Sequence, residues 1–132
     1  MTKRITPDQA ANVLKEQAND AFVALVFESA SRIVKKTPVD TGRARANWNI
    51  SQTAPDRSVS VATDTSGAIA LGRIAGNRTR LGTRTFLANS LPYIGALEDG
   101  SSKQAPAGMV KVTAAEMGNI SREVAAKVKA AL

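Results

Sequence analysis

The sequence predicts an α+β domain: a long N-terminal helix, a small antiparallel β-sheet and a C-terminal helix. Three observations carry this reading. A helix-start signature opens a run of helically spaced apolar residues near the N-terminus. A second such signature stands near residue 113. Between them lie short alternating segments separated by Pro, Gly and Asp turns. Helices flanking a run of strands are the pattern of an α+β fold. At 132 residues, the chain suits one domain, residues 1–132, with a core of useful size.

The first helix begins at Thr6-Pro7-Asp8-Gln9. Thr6 is an N-cap, Pro7 takes the first helical position and Gln9 completes a capping box. Val13, Leu14, Ala18, Ala21, Phe22, Leu25, Val26 and Ile33 follow at helical spacing. Lys35 and Lys36 suit the negative end of the helix dipole, and Thr37-Pro38 stops it. Such a helix is roughly 45 Å long at about 1.5 Å per residue. It is long enough to brace a sheet or to reach a neighbouring subunit.

Val39 to Gly42 reads as a turn. Arg45 to Thr53 alternates around Trp48 and Ile50 as a half-buried strand. Pro55-Asp56 turns the chain, and Ser58 to Ala62 reads as the second strand of a hairpin. Ala68 to Ile74 forms a short helix ended by Gly76-Asn77. Thr83 to Asn89, with Phe86 and Leu87, is a third strand. Leu91 to Ile94 continues extended, with Pro92 at an edge or bulge. Asp99 to Ser102 and Gln104 to Gly108 are loops. Thr113 and Glu116 form the second capping box. Met117, Ile120, Val124 and Val128 then make an apolar stripe that Ala131 extends, opposite Arg122, Glu123, Lys127 and Lys129.

Composition narrows the chemistry. There is no cysteine and no histidine. Disulfides, thiol nucleophiles and the commonest base and metal ligand are therefore absent. Carboxylate, Lys, Tyr and Arg chemistry stays open, but no cofactor or metal site is expected. Aromatics are 4% of the chain, so Trp48, Tyr93 and three Phe must anchor an aliphatic core. The net charge of +7 favours polyanionic partners: nucleic acid, an acidic protein ring or a membrane surface. The apolar stretch Ala21 to Phe27 is too short to span a bilayer, and no apolar signal region opens the chain. A cytosolic protein with no membrane partner is expected.

Residues Thr65 to Leu97 contain no acid but carry Arg73, Arg78, Arg80 and Arg84. These four arginines suit DNA phosphates passing nearby, or an acidic neighbouring subunit, or simply a solvated loop. Aromatic interleaving is limited to Phe86, which argues against a stacking-type single-strand binder. No recognition-helix pattern is present. Asp8, Glu16, Asp20 and Glu28 read as a solvated helix face, since metal-binding helical carboxylates usually work with His. Asp64 to Gly67 and Asp99 to Ser101 read as plain turns. Tyr93 reads as a core or interface anchor.

Two stretches carry a family resemblance. The first is Thr37 to Trp48, TPVDTGRARANW, with Pro38, Val39, Asp40, Thr41, Gly42, Arg43 and Trp48 matching. The second is Asn89 to Met109, NSLPYIGALEDGSSKQAPAGM. There Leu91, Pro92, Tyr93, Leu97, Glu98, Gly100, Ser102, Gln104, Ala105, Pro106, Gly108 and Met109 match. Both stretches resemble the neck and tail-completion proteins of long-tailed bacteriophages, the group that includes minor tail protein Z-like proteins. Asp99 departs from the pattern, which carries a bulkier residue there. The resemblance implies a non-catalytic structural virion protein, assembled in the host cytoplasm and placed in the neck. It implies a homo-oligomeric ring, hexameric, between the connector or adaptor and the tail-terminator or tail-tube proteins. Leu91 to Met109 would be its loop toward a neighbour, or a crossover packed on its own core. Two other readings compete. One is a small basic DNA-binding protein without sequence preference. The other is a small toxin-like ribonuclease using Arg, Lys and Tyr without His, which alanine at Tyr93 and Arg84 would test.

Overall fold

A computed structural model describes residues 4–130. Ala131, expected to extend the last apolar stripe, lies outside the described residues. Helix α1 (Pro7–Lys36) begins where the capping box places it. The Gln9 N–H donates to Thr6 Oγ1 at 3.2 Å, and the Thr6 N–H donates to Gln9 Oε1 at 2.9 Å. Thr37 turns extended and ends the helix before Pro38. Along α1 the described buried residues are Ala30, Ser31 and Val34, all near its C-terminal end. Its first turns stand clear of the body, with Leu14 66% exposed.

The expected hairpin is replaced by a different pairing. Arg43–Ala46 forms a helical turn, α2, so the strand shrinks to β1 (Asn49–Ser51). β1 pairs antiparallel with β2 (Phe86–Ala88), matching Ile50 with Leu87. Residues 58–62 are not a strand. They run beside β1, but side chains stand in the gap where a ladder would form. Asn47 Nδ2 donates to Ser60 O at 3.0 Å, and the Ser60 N–H donates to Asn47 Oδ1 at 2.7 Å. Asn49 Nδ2 donates to Ser58 O at 2.9 Å. The asparagine amides satisfy the backbone groups that a second strand would have paired.

Helix α3 (Ala68–Ala75) stands where expected. Its start is held by the Asp64 carboxylate, which accepts from the Ile69 N–H at 2.8 Å. Leu91 to Ile94 is not extended. Pro92 and Tyr93 form a turn into α4 (Ile94–Glu98), a helix entry where a missing N–H costs nothing. The capping box at Thr113 also fails. Helix α5 (Val110–Ala115) has already begun there, and Thr113 Oγ1 donates back to Met109 O at 2.9 Å. Glu116 does not cap. It pairs with Arg32 at 2.7 Å and also with Lys36. Helix α6 (Met117–Ala130) buries Ile120 and Val124, and its Glu123 also reaches Arg32 at 2.8 Å.

The core joins Ala30 and Val34 of α1, Trp48, Ala70 and Ile74 of α3, Ala105 and Met109. Ile33, Ile50, Leu71, Leu87, Ile94 and Leu97 pack around it. Of the expected aromatic anchors, Trp48 is in this core, whereas Tyr93 is 42% and Phe27 41% exposed. Small residues fill the centre instead. No helix among the described residues is long and apolar enough to cross a membrane.

Candidate functional site: a cleft between two turns

Thr37 to Trp48 forms one wall of the site. Thr37 is fully buried, and its hydroxyl accepts from Trp48 Nε1 at 2.8 Å. Arg45, which the sequence did not single out, fixes the turn. Its guanidinium donates to three carbonyls: Lys35 O at 2.9 Å, Thr37 O at 2.9 Å and Thr65 O at 2.8 Å. Two of these belong to the end of α1, where orphan carbonyls and the helix dipole favour a cation. Gly42 lies at φ +88°, its carbonyl accepting from the Asp64 N–H at 3.0 Å. Pro38 and Gly42 are buried, Asp40 and Thr41 exposed, and Arg43 donates through Nε to Ser60 O at 3.1 Å.

Leu91 to Met109 forms the other wall. Leu91 and Met109 are buried, and Pro92, Tyr93, Gln104 and Pro106 are exposed. Glu98 has the clearest structural task. Its carboxylate accepts from the N–H groups of Met109, Val110 and Lys111, each at 2.9 Å. It thus caps α5 from across the loop, the role expected of Thr113. The turn at Gly100 backs onto the Pro106 carbonyl, and a Cβ on Gly108 would lie 2.5 Å from Glu98 O. The loop is closed tightly on itself.

Gln104 joins the walls. Its Oε1 accepts from the Val39 N–H at 2.9 Å, and its Nε2 donates to Val39 O at 2.9 Å. One amide thereby mimics a strand partner across 65 residues. The result is a cleft of about 420 Å³ lined by both stretches, including Asp40, Thr41, Arg43, Tyr93, Ser101 and Gln104. Among the described residues, the side chains of Asp40, Tyr93 and Ser101 have no hydrogen-bond or ion-pair partner. They form an aromatic and polar face free to meet a ligand or protein.

The four arginines do not act as a group. Arg73 is exposed, but its guanidinium is bonded to its own chain, donating to Asn49 Oδ1 at 2.8 Å and to Ala46 O. Arg78, Arg80 and Arg84 are exposed and have no side-chain partner among the described residues. They share one loop, which is tied to α1 by the Leu81 N–H donating to Asn19 Oδ1 at 2.9 Å. No cluster of three or more acidic side chains among the described residues is close enough to hold a metal ion.

Burial pushes the Glu98 carboxyl up, but the N–H groups of Lys111, Val110 and Met109, with the Lys111 charge, hold it below its ordinary value. Lys36 and Arg32 hold Glu116 low in the same direction. A depressed carboxyl stabilises the fold fully above its unfolded value, about 4.3, and loses that contribution as pH falls through the folded value. Glu98→Gln is therefore expected to cost about 1–2 kcal/mol at neutral pH and to weaken the acid dependence. Glu116 keeps part of that dependence in the variant. Urea unfolding at pH 7 and pH 3 measures both; a parent and variant with equal losses between the two pH values would refute the assignment.

Comparison of the chain with family models, with curated proteins and with solved structures finds no match.

Proposed function

We propose that this protein is a non-catalytic structural subunit of a long-tailed phage neck, which completes the tail and joins it to the DNA-filled head. One observation carries the reading. The two stretches that resemble neck and tail-completion proteins meet at a single cleft, locked by Gln104 on Val39. Most matching residues there serve the fold, as Glu98, Gly100 and Met109 do. The matching residues Asp40 and Tyr93, with the neighbouring Ser101, are left to face outward. Such a rigid face suits a partner read by shape and hydrogen bonding. The copies form a homo-oligomeric ring, a hexamer, seated between the connector or adaptor and the tail-terminator or tail-tube proteins. Arg78, Arg80 and Arg84 face an acidic neighbour or the DNA that passes. Particles made without this protein are expected to accumulate as filled heads and separate tails under the electron microscope. Joined virions in normal yield would overturn the proposal. The double variant Asp40→Ala, Tyr93→Ala should fold as the parent does yet lose joining.

The three unpartnered arginines favour a second reading, a basic DNA-binding protein without sequence preference. Log affinity would then fall with log salt by about 0.9 per phosphate neutralised, so by roughly 3 for three contacts. A flat salt response, or equal binding by the triple alanine variant, excludes it.

A further inference from the structure

Residues 58–62 have one satisfied side and one open side. On the inner side, the Asn47 amide meets both backbone groups of Ser60. Its Nδ2 donates to Ser60 O at 3.0 Å, and its Oδ1 accepts from the Ser60 N–H at 2.7 Å. Arg43 Nε donates to the same carbonyl at 3.1 Å, and Asn49 Nδ2 donates to Ser58 O at 2.9 Å. A residue whose N–H and C=O turn to one side is extended. Every peptide bond here is trans, so the C=O of one residue and the N–H of the next point in opposite directions. The Ser58 and Ser60 carbonyls point inward, so the Val59 and Val61 N–H groups point outward. The Ser60 N–H points inward, so the Val59 C=O points outward. Among the described residues, none of these three outward groups has a hydrogen-bond partner, nor has the Arg57 C=O. Val59 is 48% and Val61 86% exposed.

The segment has the open backbone of an edge strand without the usual protection. Open edges are ordinarily blunted by Lys, Pro or a bulge. Residues 58–63 carry no charged side chain and no proline. The open groups alternate along the chain, so they fit an extended backbone with the same alternation, and a second copy of this segment supplies one. We infer that two copies pair antiparallel along residues 57–61, with a two-fold axis at Val59. Val59 of each copy then exchanges both N–H···O bonds with its counterpart, and each Val61 N–H donates to the Arg57 C=O opposite. The side chains of Arg57, Val59 and Val61 share one face, so the two axial valines touch and each Val61 meets an Arg57 stem. Parallel pairing in register would set Arg57 beside its own counterpart, like charge against like charge. The antiparallel contact uses the same patch on both copies and closes at two. It is therefore an interface additional to the ring contact proposed above, and it does not depend on the phage setting.

The chain contains no cysteine, so one introduced thiol reports alone. Val59→Cys stands at the axis, and a short thiol–thiol cross-linker is expected to join two such chains, with a yield that rises with protein concentration. Adding Val61→Pro removes an outward N–H that the fold leaves unused, and the covalent dimer should be lost. Val61→Thr in its place keeps the N–H and the branched shape, and the dimer should return. A dimer that survives Val61→Pro, in a chain with the parent circular dichroism, would overturn the inference, because side chains rather than backbone would then hold the copies. So would the absence of any dimer from Val59→Cys at high concentration, or fibres in place of dimers, the other fate of an open edge. Hydrogen exchange on the parent chain needs no variant to fold. The Val59 and Val61 amides should exchange more slowly as concentration rises while the Ser60 amide, already bonded to Asn47, changes little. Exchange at Val59 and Val61 that ignores concentration would overturn the inference whatever the variants do.

Discussion

Trp48→Ala is expected to lower the stability of the fold by about 3–5 kcal/mol. Trp48 is 4% exposed and packs in the core with Val34, Ile74 and Met109. The other buried members, Ala30, Ala70 and Ala105, have no rotamers with which to fill the space it leaves. A cavity that cannot collapse puts the cost at the upper end of the range. The indole also donates from Nε1 to Thr37 Oγ1, while that hydroxyl donates to Ile33 O at 2.7 Å. Removing the ring leaves the buried Thr37 oxygen without its donor, at the point where α1 ends. Trp48→Phe retains most of the volume but loses this bond, so about 1–3 kcal/mol is expected. Whole domains are stable by only about 5–15 kcal/mol, so the alanine variant should be near unfolding at body temperature. Urea unfolding followed by far-ultraviolet circular dichroism measures both, since the chain's one tryptophan is removed. A loss below about 1 kcal/mol for Trp48→Ala would show that the surrounding helices close over the gap.

Elements set by local chemistry were legible in the sequence. The capping box of Thr6 and Gln9 and the stop at Thr37-Pro38 bound α1, and Gly76 closes α3. Elements set by distant partners were not. Thr113 and Glu116 have the spacing of a capping box, yet the Glu98 carboxylate, twelve residues before Val110, had already started that helix. Ser58 to Ala62 alternates like a strand, yet the amides of Asn47 and Asn49 hold it away from β1. The cleft was half legible. Its two walls carry the stretches marked by resemblance, but the bond between Gln104 and Val39 has no local spacing to reveal it. Arg45 was missed for the same reason, since its three acceptors lie at residues 35, 37 and 65. Basic residues just after a helix stop are the signal that would have found it. Arg73 could not be told from the loop arginines because charge density in a sequence does not distinguish a guanidinium bonded to its own chain from one without a partner.

Gly42→Ala should have the other large effect, about 2–5 kcal/mol, the sum of a left-handed conformation and a steric overlap. Gly42 sits at φ +88°, and a Cβ there would lie 2.6 Å from the backbone carbon of Asp64 and from the Thr65 nitrogen. These are main-chain atoms, so no side-chain rotation relieves the contact. Relief requires moving Asp64, whose N–H donates to Gly42 O and whose carboxylate holds the start of α3. The strain therefore passes from the cleft wall into the core that α3 supplies through Ala70 and Ile74. Gly82→Ala separates the two causes. Gly82 lies at φ +93°, but a Cβ there meets nothing within 4 Å. Its expected cost is the conformational part alone, about 1–2 kcal/mol. Equal losses at the two positions in chemical unfolding would mean that the crossing of residues 42 and 64 tolerates a methyl group. A larger loss at Gly42 means that this crossing holds Asp40 and Thr41 in place across the cleft from Tyr93.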